Sequence, residues 1–244
     1  GGYVSNDENY LIIRGEETTS GGKLWIKDLR KPNSPLVAIL NNYDSDTFVL
    51  SIKGDKIYFQ TNLNAPNGKI VVADIKNPTP EHWKDLIAET QNVLTPVVAG
   101  KYILAHYMKD AISQVKQYDF EGKRIRDIKL PALGTVTLNS AKEEESESYF
   151  SFENFYTPSS IYKLHLDKGD TELYWAPKID FNPNDFESKQ VFYTSKDGTK
   201  VPMIITYKKG TPLDGTAPAC LYGYGGFNVS YTPWFAVTYA VWMN

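Results

Sequence analysis

In the stretch Lys23-Leu24-Trp25-Ile26-Lys27-Asp28-Leu29, a short apolar run ends in an aspartate and a closing leucine. The same pattern returns in Lys69-Ile70-Val71-Val72-Ala73-Asp74-Ile75, and further copies lie at residues 115–120 and 161–166. Each copy follows a polar loop and an earlier apolar strand, and these earlier strands lie at residues 10–13, 57–59, 102–105 and 149–152. The closing residues are 46, 45 and 46 positions apart, at Leu29, Ile75, Phe120 and Leu166.

This repeat predicts a β-propeller. Further short strands lie between the copies, so each unit of about 45 residues holds roughly four strands, as a propeller blade does. A single four-stranded sheet cannot cover its own two faces, whereas sheets stacked radially cover one another. The many aromatic residues, 17 Tyr, 11 Phe and 5 Trp, suit such pleated, half-buried surfaces. The additional strands are expected at residues 37–40, 48–50 and 135–138.

Two questions about this architecture stay open at this point. A β-sandwich with evenly spaced hairpins would also contain many short strands, although the near-constant period favours the propeller. Propellers usually contain about four to eight blades, so the four units could close a small ring or form part of a larger one. The first residues do not resemble a natural start, and residues 236–243 stop inside an apolar run. We therefore expect a fragment that is cut at both ends.

An aspartate precedes the closing residue in three of the four units, at Asp28, Asp74 and Asp119. Aspartate side chains readily accept hydrogen bonds from backbone N–H groups two residues further on. We therefore expect each carboxylate to bind the backbone of the turn that follows its strand. The fourth unit carries His165 at this position and Asp167 two residues later.

Composition and charge argue against several classes of function. The chain has 244 residues and 41% hydrophobic content, which is enough for one large or two ordinary domains. Its net charge of −3, with acidic and basic residues interspersed, argues against a nucleic-acid partner. No apolar run approaches the roughly 20 residues of a membrane helix, so we expect no membrane partner. The single cysteine, Cys220, excludes an internal disulfide but does not fix the compartment.

No metal or cofactor site is expected. Residues 143–147 form an acidic run, which we interpret as a solvated hairpin or strand-entry loop because metal ligands must converge on one point. The three histidines are scattered one to a repeat unit and share no spacing with cysteine or acidic residues. We interpret all three as structural: His82, His106 and His165.

The sequence pattern changes after Trp175. Residues 177–185 have the composition of a linker. Residues 188–193 and 201–207 then predict two antiparallel strands, joined by a turn that contains the Asp197-Gly198 hairpin signal. A polar loop follows the second strand.

The most informative stretch comes next: Pro218-Ala219-Cys220-Leu221-Tyr222-Gly223-Tyr224-Gly225-Gly226-Phe227-Asn228. Residues 219–221 predict a buried strand with Cys220 as a small core residue. The glycines that follow allow a tight turn and a close approach to a ligand, and Gly223 is expected to mark the change of direction. A tyrosine hydroxyl at this turn is a neutral donor at pH 7, which suits a developing oxyanion. Two antiparallel strands, a buried strand and a Gly-rich turn predict the start of an α/β-hydrolase domain.

Three segments of the chain resemble the prolyl oligopeptidase family of serine peptidases. Residues 221–228 resemble the oxyanion-strand motif of that family, and this motif is the most specific of the three. Residues 195–203, continuing to 208–210, resemble its hydrolase entry hairpin. The resemblance covers the whole chain, and the last propeller blade of the family is matched by residues 150–152 and 156–162.

The resemblance implies a mainly β fold in two parts. Residues 1–177 would be the last four blades of a seven-bladed propeller, and residues 178–244 would begin an α/β-hydrolase catalytic domain. Tyr224 matches the tyrosine that donates to the oxyanion, Phe227 matches an aromatic residue that lines the pocket for the substrate's proline ring, and Arg14 lies in a blade loop region that approaches the substrate. The Ser, Asp and His of the family's triad lie beyond these residues, so we expect the chain alone to be inactive.

The implied function is that of a serine endopeptidase that cleaves short peptides on the carboxyl side of proline without a cofactor. Its expected partners are short proline-containing peptides and the remaining part of the same enzyme, which is expected to be a monomer when complete. A cytoplasmic location is the common case in the family, and the bacterial periplasm is the alternative. Two other functions stay open: an oligopeptidase B-like peptidase that cuts after basic residues, which the apolar Phe227 disfavours, and a non-enzymatic propeller scaffold. Tyr222 is expected to pack rather than to act as the donor.

Overall fold

The computed structural model describes residues 1–227 and 229–244. Their strands form four four-stranded sheets, each paired in chain order, and one two-stranded hairpin. The first sheet contains β1 (Gly2–Val4), β2 (Tyr10–Gly15), β3 (Lys23–Asp28) and β4 (Val37–Leu40), and the second contains β5 (Thr47–Lys53), β6 (Lys56–Thr61), β7 (Lys69–Asp74) and β8 (Lys84–Ile87). The third contains β9 (Val93–Ala99), β10 (Tyr102–Lys109), β11 (Ile112–Tyr118) and β12 (Arg124–Ile128), and the fourth contains β13 (Thr135–Leu138), β14 (Glu147–Glu153), β15 (Ser160–His165) and β16 (Thr171–Trp175).

The four sheets confirm the repeat that the sequence predicts. Each of the strands expected from the repeat is present. In every unit, the earlier apolar strand and the strand that leads to the closing residue belong to the same sheet. A sandwich would divide its strands between two facing sheets. The observed strands form four separate meanders, so the sandwich alternative is wrong for the described residues.

The chain divides into two compact units, and the strands β10 to β12 contribute to both of them. The first unit contains residues 1–107 and 116–125. In this unit the first two sheets share a core, in which Ile12 and Leu24 belong to the first sheet and Phe59 and Val71 to the second. Trp83 extends this core, since its ring stacks on Phe59 with the ring centroids 5.0 Å apart.

The other face of the second sheet is also buried. Tyr58 and Ile70 pack there against Ile103 and Phe120 of the third repeat unit, still within the first compact unit. The rings of Tyr58 and Phe120 meet edge to face at 4.9 Å. Burying one such aromatic side chain contributes about 1.5–3 kcal/mol. One sheet therefore stabilises two cores, which is the physical reason for the repeating apolar pattern.

The turns after the repeated strands have the predicted chemistry. The carboxylate of Asp28 accepts the backbone N–H of Arg30 at 3.0 Å, and that of Asp74 accepts the N–H of Lys76 at 2.8 Å. Asp119 likewise accepts backbone N–H groups from the turn that follows it. The prediction for all three aspartates is confirmed.

The fourth repeat unit uses different groups at the same place. The His165 carbonyl accepts the N–H of Gly169 at 2.7 Å. The imidazole of His165 lies between the carboxylates of Glu147 and Glu172, with each N···O distance at 3.5 Å. Glu147, His165 and Glu172 thus bring side chains from three strands of one sheet together.

The second compact unit contains residues 108–115 and 126–244. Its fourth sheet buries Phe150 and Phe152 of β14, and the Phe150 ring stacks on Tyr162 at 5.4 Å. The unit also contains the hairpin of β17 (Phe186–Thr194) and β18 (Lys200–Lys208), in which Phe186 pairs with Lys208 and Thr194 with Lys200.

The hairpin and the segment before it agree with the sequence prediction. Gly198 has φ 88°, a left-handed conformation that favours glycine, and the Thr199 N–H donates to the Asp197 carboxylate at 3.0 Å. The linker segment contains a 3₁₀ turn at Pro183–Asp185, which the Asn182 side chain caps by accepting the N–H of Asn184. A second 3₁₀ turn lies at Pro80–His82, and a short helix, α1 (Val237–Met243), forms near the C-terminal end.

The prediction of a buried strand at residues 219–221 is wrong. None of these residues lies in a strand, Cys220 is exposed, and Leu221 keeps 86% of its surface exposed. A strand needs a neighbour for its backbone hydrogen bonds, and β17 and β18 pair only with each other within the described residues. Without a partner strand, the apolar run stays in an open loop.

The acidic run and the histidine of the third repeat unit can be compared with their predictions. Residues 143–146 are exposed and lead into β14, as expected for a strand-entry loop. Burial holds the pKa of His106 below its ordinary value. In the described part of the chain, no three His, Cys, Asp or Glu side chains converge as a metal site would require. None of the described helices is long and apolar enough to cross a membrane.

Candidate functional site

The loop that follows β18 carries two of the residues that the sequence singled out, Tyr224 and Phe227. Tyr224 keeps 56% of its surface exposed, and its hydroxyl makes no hydrogen bond with any described residue. Phe227 is 93% exposed. The motif's last residue, Asn228, lies outside the described residues. The loop therefore presents a free phenol and a free aromatic ring within four positions of each other.

Two residues of this loop, Gly225 and Phe227, have positive φ angles. Gly225 has φ 71°, which a residue with a side chain rarely adopts. Phe227 has φ 54° and lies in the same region, at a cost on the order of 1 kcal/mol for a residue with a Cβ. The chain makes neither a turn nor a bend at Gly223, so the prediction that it marks the change of direction is wrong.

Tyr222 makes one ring contact, while 57% of its surface stays exposed, so the prediction that it packs rather than donates stays a prediction. Its ring lies 4.7 Å from the ring of Tyr231, at an interplanar angle of 41°. Within the described residues neither the Tyr222 nor the Tyr224 hydroxyl has a hydrogen-bond partner, so the choice of Tyr224 as the donor rests on the family motif.

Tyr231 belongs to a hydrogen-bonded group of aromatic residues that the sequence analysis missed. Its hydroxyl accepts the indole N–H of Trp234 at 2.5 Å and lies 3.2 Å from the hydroxyl of Tyr239. The rings of Trp234 and Tyr239 meet edge to face at 5.7 Å. We call Tyr222, Tyr231, Trp234 and Tyr239 the aromatic cluster. Its only signal in the sequence is the density of aromatic residues after position 221, which has no regular spacing.

The surroundings of Tyr239 favour the protonated form of its hydroxyl. The hydrogen bond with Tyr231, aided by burial, raises the pKa of Tyr239 to about 12. A phenol that stays protonated can remain in the hydrogen-bonded pair across the physiological pH range. The cluster is therefore held by neutral hydrogen bonds and ring contacts.

The segment that contains the cluster is attached to the fourth sheet, within the same compact unit. The Thr135 hydroxyl donates to the carbonyl of Pro233 at 2.6 Å, and the backbone N–H of Phe235 donates to the Glu153 carboxylate at 3.2 Å. The ring of Phe155 meets that of Tyr239 edge to face at 6.2 Å. These contacts join β13 and the end of β14 to the aromatic cluster.

Arg14, the third predicted site residue, lies on β2 in the first compact unit, whereas Tyr224 and Phe227 belong to the second. Its guanidinium pairs with Glu16 and with Asp46, the latter at 3.0 Å, and stacks over the Phe48 ring at 4.1 Å. Its Nε atom is buried without a partner among the described residues. The carboxylates already hold the charge of Arg14, and its contact with a substrate stays a prediction.

The chain matches one protein family over most of its length. The family described as prolyl oligopeptidase, N-terminal β-propeller domain, matches residues 1–177. Prolyl endopeptidases of Elizabethkingia miricola and Elizabethkingia meningoseptica are both 46% identical to the chain, cover 100% of it, and are themselves covered over 34% of their length. A dual function macrocyclase-peptidase of Amanita bisporigera is 34% identical over 96% of the chain and 33% of its own length.

Solved structures that resemble the chain also include prolyl oligopeptidases. The apo structure of prolyl oligopeptidase B from Galerina marginata superimposes with a TM-score of 0.88 at 28% identity, covering 100% of this chain and 36% of that one. The chain thus spans about a third of the length of the curated relatives it matches, which are covered over 34%. From the match of residues 1–177 and from these relatives, the chain belongs to the prolyl oligopeptidase family and contains β-propeller structure of that family's N-terminal domain.

Proposed function

We propose that this chain is part of a serine endopeptidase that cleaves short peptides on the carboxyl side of proline. The observation that carries the proposal is the 46% identity, over the whole chain, with two proteins named prolyl endopeptidase. We further propose that residues 1–177 belong to a seven-bladed propeller and that residues 178–244 begin an α/β-hydrolase domain. The extent of the family match, residues 1–177, supports this boundary.

In this proposal Tyr224 supplies one donor to the oxyanion of the tetrahedral intermediate. The nucleophilic serine, with its histidine base and orienting aspartate, comes from the remaining part of the protein. A phenol is neutral at pH 7 and can donate one hydrogen bond, and the Tyr224 hydroxyl has no described partner that would compete for it. A donor of this kind is worth about 3–4 kcal/mol in the transition state.

Phe227 forms one wall of the pocket for the substrate's proline in the same proposal. Its ring is almost fully exposed, and it follows Tyr224 by three positions, so both side chains can face one bound residue. A pyrrolidine ring is apolar and compact, and packing it on an aromatic face removes apolar area from water. An apolar wall also gives no counter-charge to an arginine or lysine side chain.

The experiment that tests this function uses the complete protein that contains the chain. Matched peptides with Pro, Arg or Ala before a chromogenic leaving group are compared by their kcat/KM values. We expect the proline peptide to be cleaved most efficiently, by a factor of at least about ten, since a pocket that lacks one apolar contact loses 1–3 kcal/mol. Preference for arginine would replace the proposal with the oligopeptidase B-like alternative, and no cleavage of any peptide would favour the scaffold.

A further inference from the structure

The loop that carries Tyr224 has little structure of its own. Among the described residues, the backbone groups of residues 217–225 make no hydrogen bond to other backbone groups. Apart from the adjoining residues, no atom of the described residues lies within 4 Å of the place that a Cβ would occupy at Gly223 or Gly225. Glycines lose more conformational freedom on ordering than other residues. The loop therefore needs an external contact to fix the position of Tyr224.

An oxyanion donor must be held in a fixed position. Its hydrogen bond must be formed at about 2.7–3.1 Å from the place where negative charge develops, and the stabilisation is large only if the donor is held there beforehand. A displacement of about 1 Å is enough to lose much of the effect. Whatever holds the loop thus contributes to the rate.

Within the described residues, the ring of Tyr231 contacts the loop at Tyr222. The two rings are 4.7 Å apart, and Tyr222 is only two residues from Tyr224, which is at most about 7 Å of extended chain. The position of the Tyr231 ring is fixed by its hydroxyl, which hydrogen-bonds with both Trp234 and Tyr239. The segment is in turn attached to Thr135 of the fourth sheet.

We propose that Tyr231 is a positioning residue, which acts through Tyr222 to hold the loop of Tyr224 in its productive place. The proposal rests on the proposed function, in which Tyr224 is the oxyanion donor. Tyr231 itself touches neither substrate nor reacting atoms. The aromatic cluster thereby links the catalytic loop to the fourth sheet of the propeller.

The test is a double-mutant cycle in the complete protein, measured as the single-turnover rate on a proline–chromophore peptide. Tyr231→Leu removes the ring contact and the hydroxyl, and we expect a loss of about tenfold in rate with little change in KM, because an interaction made only in the transition state is weakened. Tyr231→Phe keeps the ring contact with Tyr222 but removes both hydrogen bonds that fix the ring, so it should lose part of the rate, less than Tyr231→Leu does. Tyr193→Leu, an exposed tyrosine on β17, is the matched control and should have no effect.

The decisive measurement is Tyr231→Leu in the background of Tyr224→Phe. If Tyr231 acts through the Tyr224 hydroxyl, the second substitution causes no further loss. Independent, multiplicative losses would overturn the proposal, as would an unchanged rate in Tyr231→Leu. If Tyr231→Leu does not fold, Trp234→Phe, which removes one hydrogen bond to Tyr231, takes its place in the same cycle. If Tyr224→Phe alone leaves the rate unaltered, both the oxyanion role of Tyr224 and the positioning role of Tyr231 are refuted. If Tyr224→Phe is slow and the loss caused by Tyr231→Leu adds to it independently, only the positioning role is refuted.

Discussion

Tyr58 and Phe59 are neighbours in β6, yet their rings lie in two different hydrophobic cores. The Phe59 ring packs with residues of the first sheet, and the Tyr58 ring meets Phe120 of the third repeat unit. Successive side chains of a strand point to opposite faces of its sheet, so a strand that is covered on both sides must be apolar throughout. The second sheet is therefore a wall shared by two cores.

Replacing Phe59 should destabilise the protein more than any substitution at an exposed aromatic residue. Phe59 is fully buried, and Phe59→Ala leaves a cavity that costs about 3–5 kcal/mol in the free energy of unfolding. Phe192→Ala on β17 is the control, because half of the Phe192 side chain is exposed. Urea-unfolding midpoints compare the two variants. Equal shifts would contradict the position of Phe59 in the core.

The aspartate after a repeated strand should stabilise its turn. Asp74→Ala removes the acceptor of the Lys76 N–H, and we expect a loss of about 1 kcal/mol, the usual net contribution of one hydrogen bond. Asp55→Ala is the matched control, since Asp55 is exposed and its side chain has no hydrogen-bond partner within the described residues. Thermal unfolding of both variants is the measurement. If Asp55→Ala is as destabilised as Asp74→Ala, the hydrogen bond to the Asp74 carboxylate does not explain the loss of stability.

Tyr224→Phe should slow peptide cleavage by the complete protein by about two orders of magnitude in kcat, with KM almost unchanged. The substitution removes only the hydroxyl oxygen, which has no described partner in the fold, so stability should not change. Tyr222→Phe is the matched control because it keeps the ring that packs on Tyr231. Steady-state kinetics on one proline–chromophore peptide decide between the two tyrosines. A slow Tyr222→Phe beside an unaffected Tyr224→Phe would reverse the assignment.

Phe227→Ala should weaken the preference for proline without destabilising the fold. The ring buries almost none of its surface in the chain, so the change in unfolding free energy should stay within about 0.5 kcal/mol. Loss of an apolar pocket wall should reduce kcat/KM for a proline peptide by about tenfold or more, and for an alanine peptide by less. The ratio of the two kcat/KM values is the measurement. An unchanged ratio would place Phe227 outside the pocket.

The hydroxyl pair of Tyr231 and Tyr239 should make stability depend on pH in the alkaline range. The folded-state pKa of Tyr239 is raised to about 12, above the ordinary value near 10. The stabilisation that this group contributes is therefore complete below about pH 10 and is lost as the pH rises towards 12. The difference in urea midpoint between the native protein and Tyr239→Phe should be larger at pH 8 than at pH 11. A difference that is constant across this range would exclude the hydroxyl pair as its source.

The repeat could be predicted from sequence because its cause is local. Each sheet takes its four strands from one continuous segment, and burial on both faces imposes an apolar pattern on every copy. The turn after Asp74 is equally local, since the carboxylate binds an N–H only two residues away. Both features depend on residues that are close together in the chain.

The candidate site could be predicted only in part. Tyr224 and Phe227 were found through a family motif, whereas the exposed state of residues 219–221 depends on whether a partner strand is present to pair with them. The aromatic cluster depends on where Tyr231 and Tyr239 meet in space, and neither the 3.6-residue nor the two-residue period describes that contact. Nothing local in the sequence of Arg14 indicates that Asp46, 32 positions away, would hold it.

The chain-order pairing of the four sheets has a consequence for how the protein is made. The strands of one sheet are joined by short connections, so each sheet can form as soon as its own segment has left the ribosome. The core on the other face of the second sheet can form once the third repeat unit has supplied Ile103 and Phe120. Synthesis from the N-terminus therefore supplies the residues of the first core before it supplies those that complete the second core.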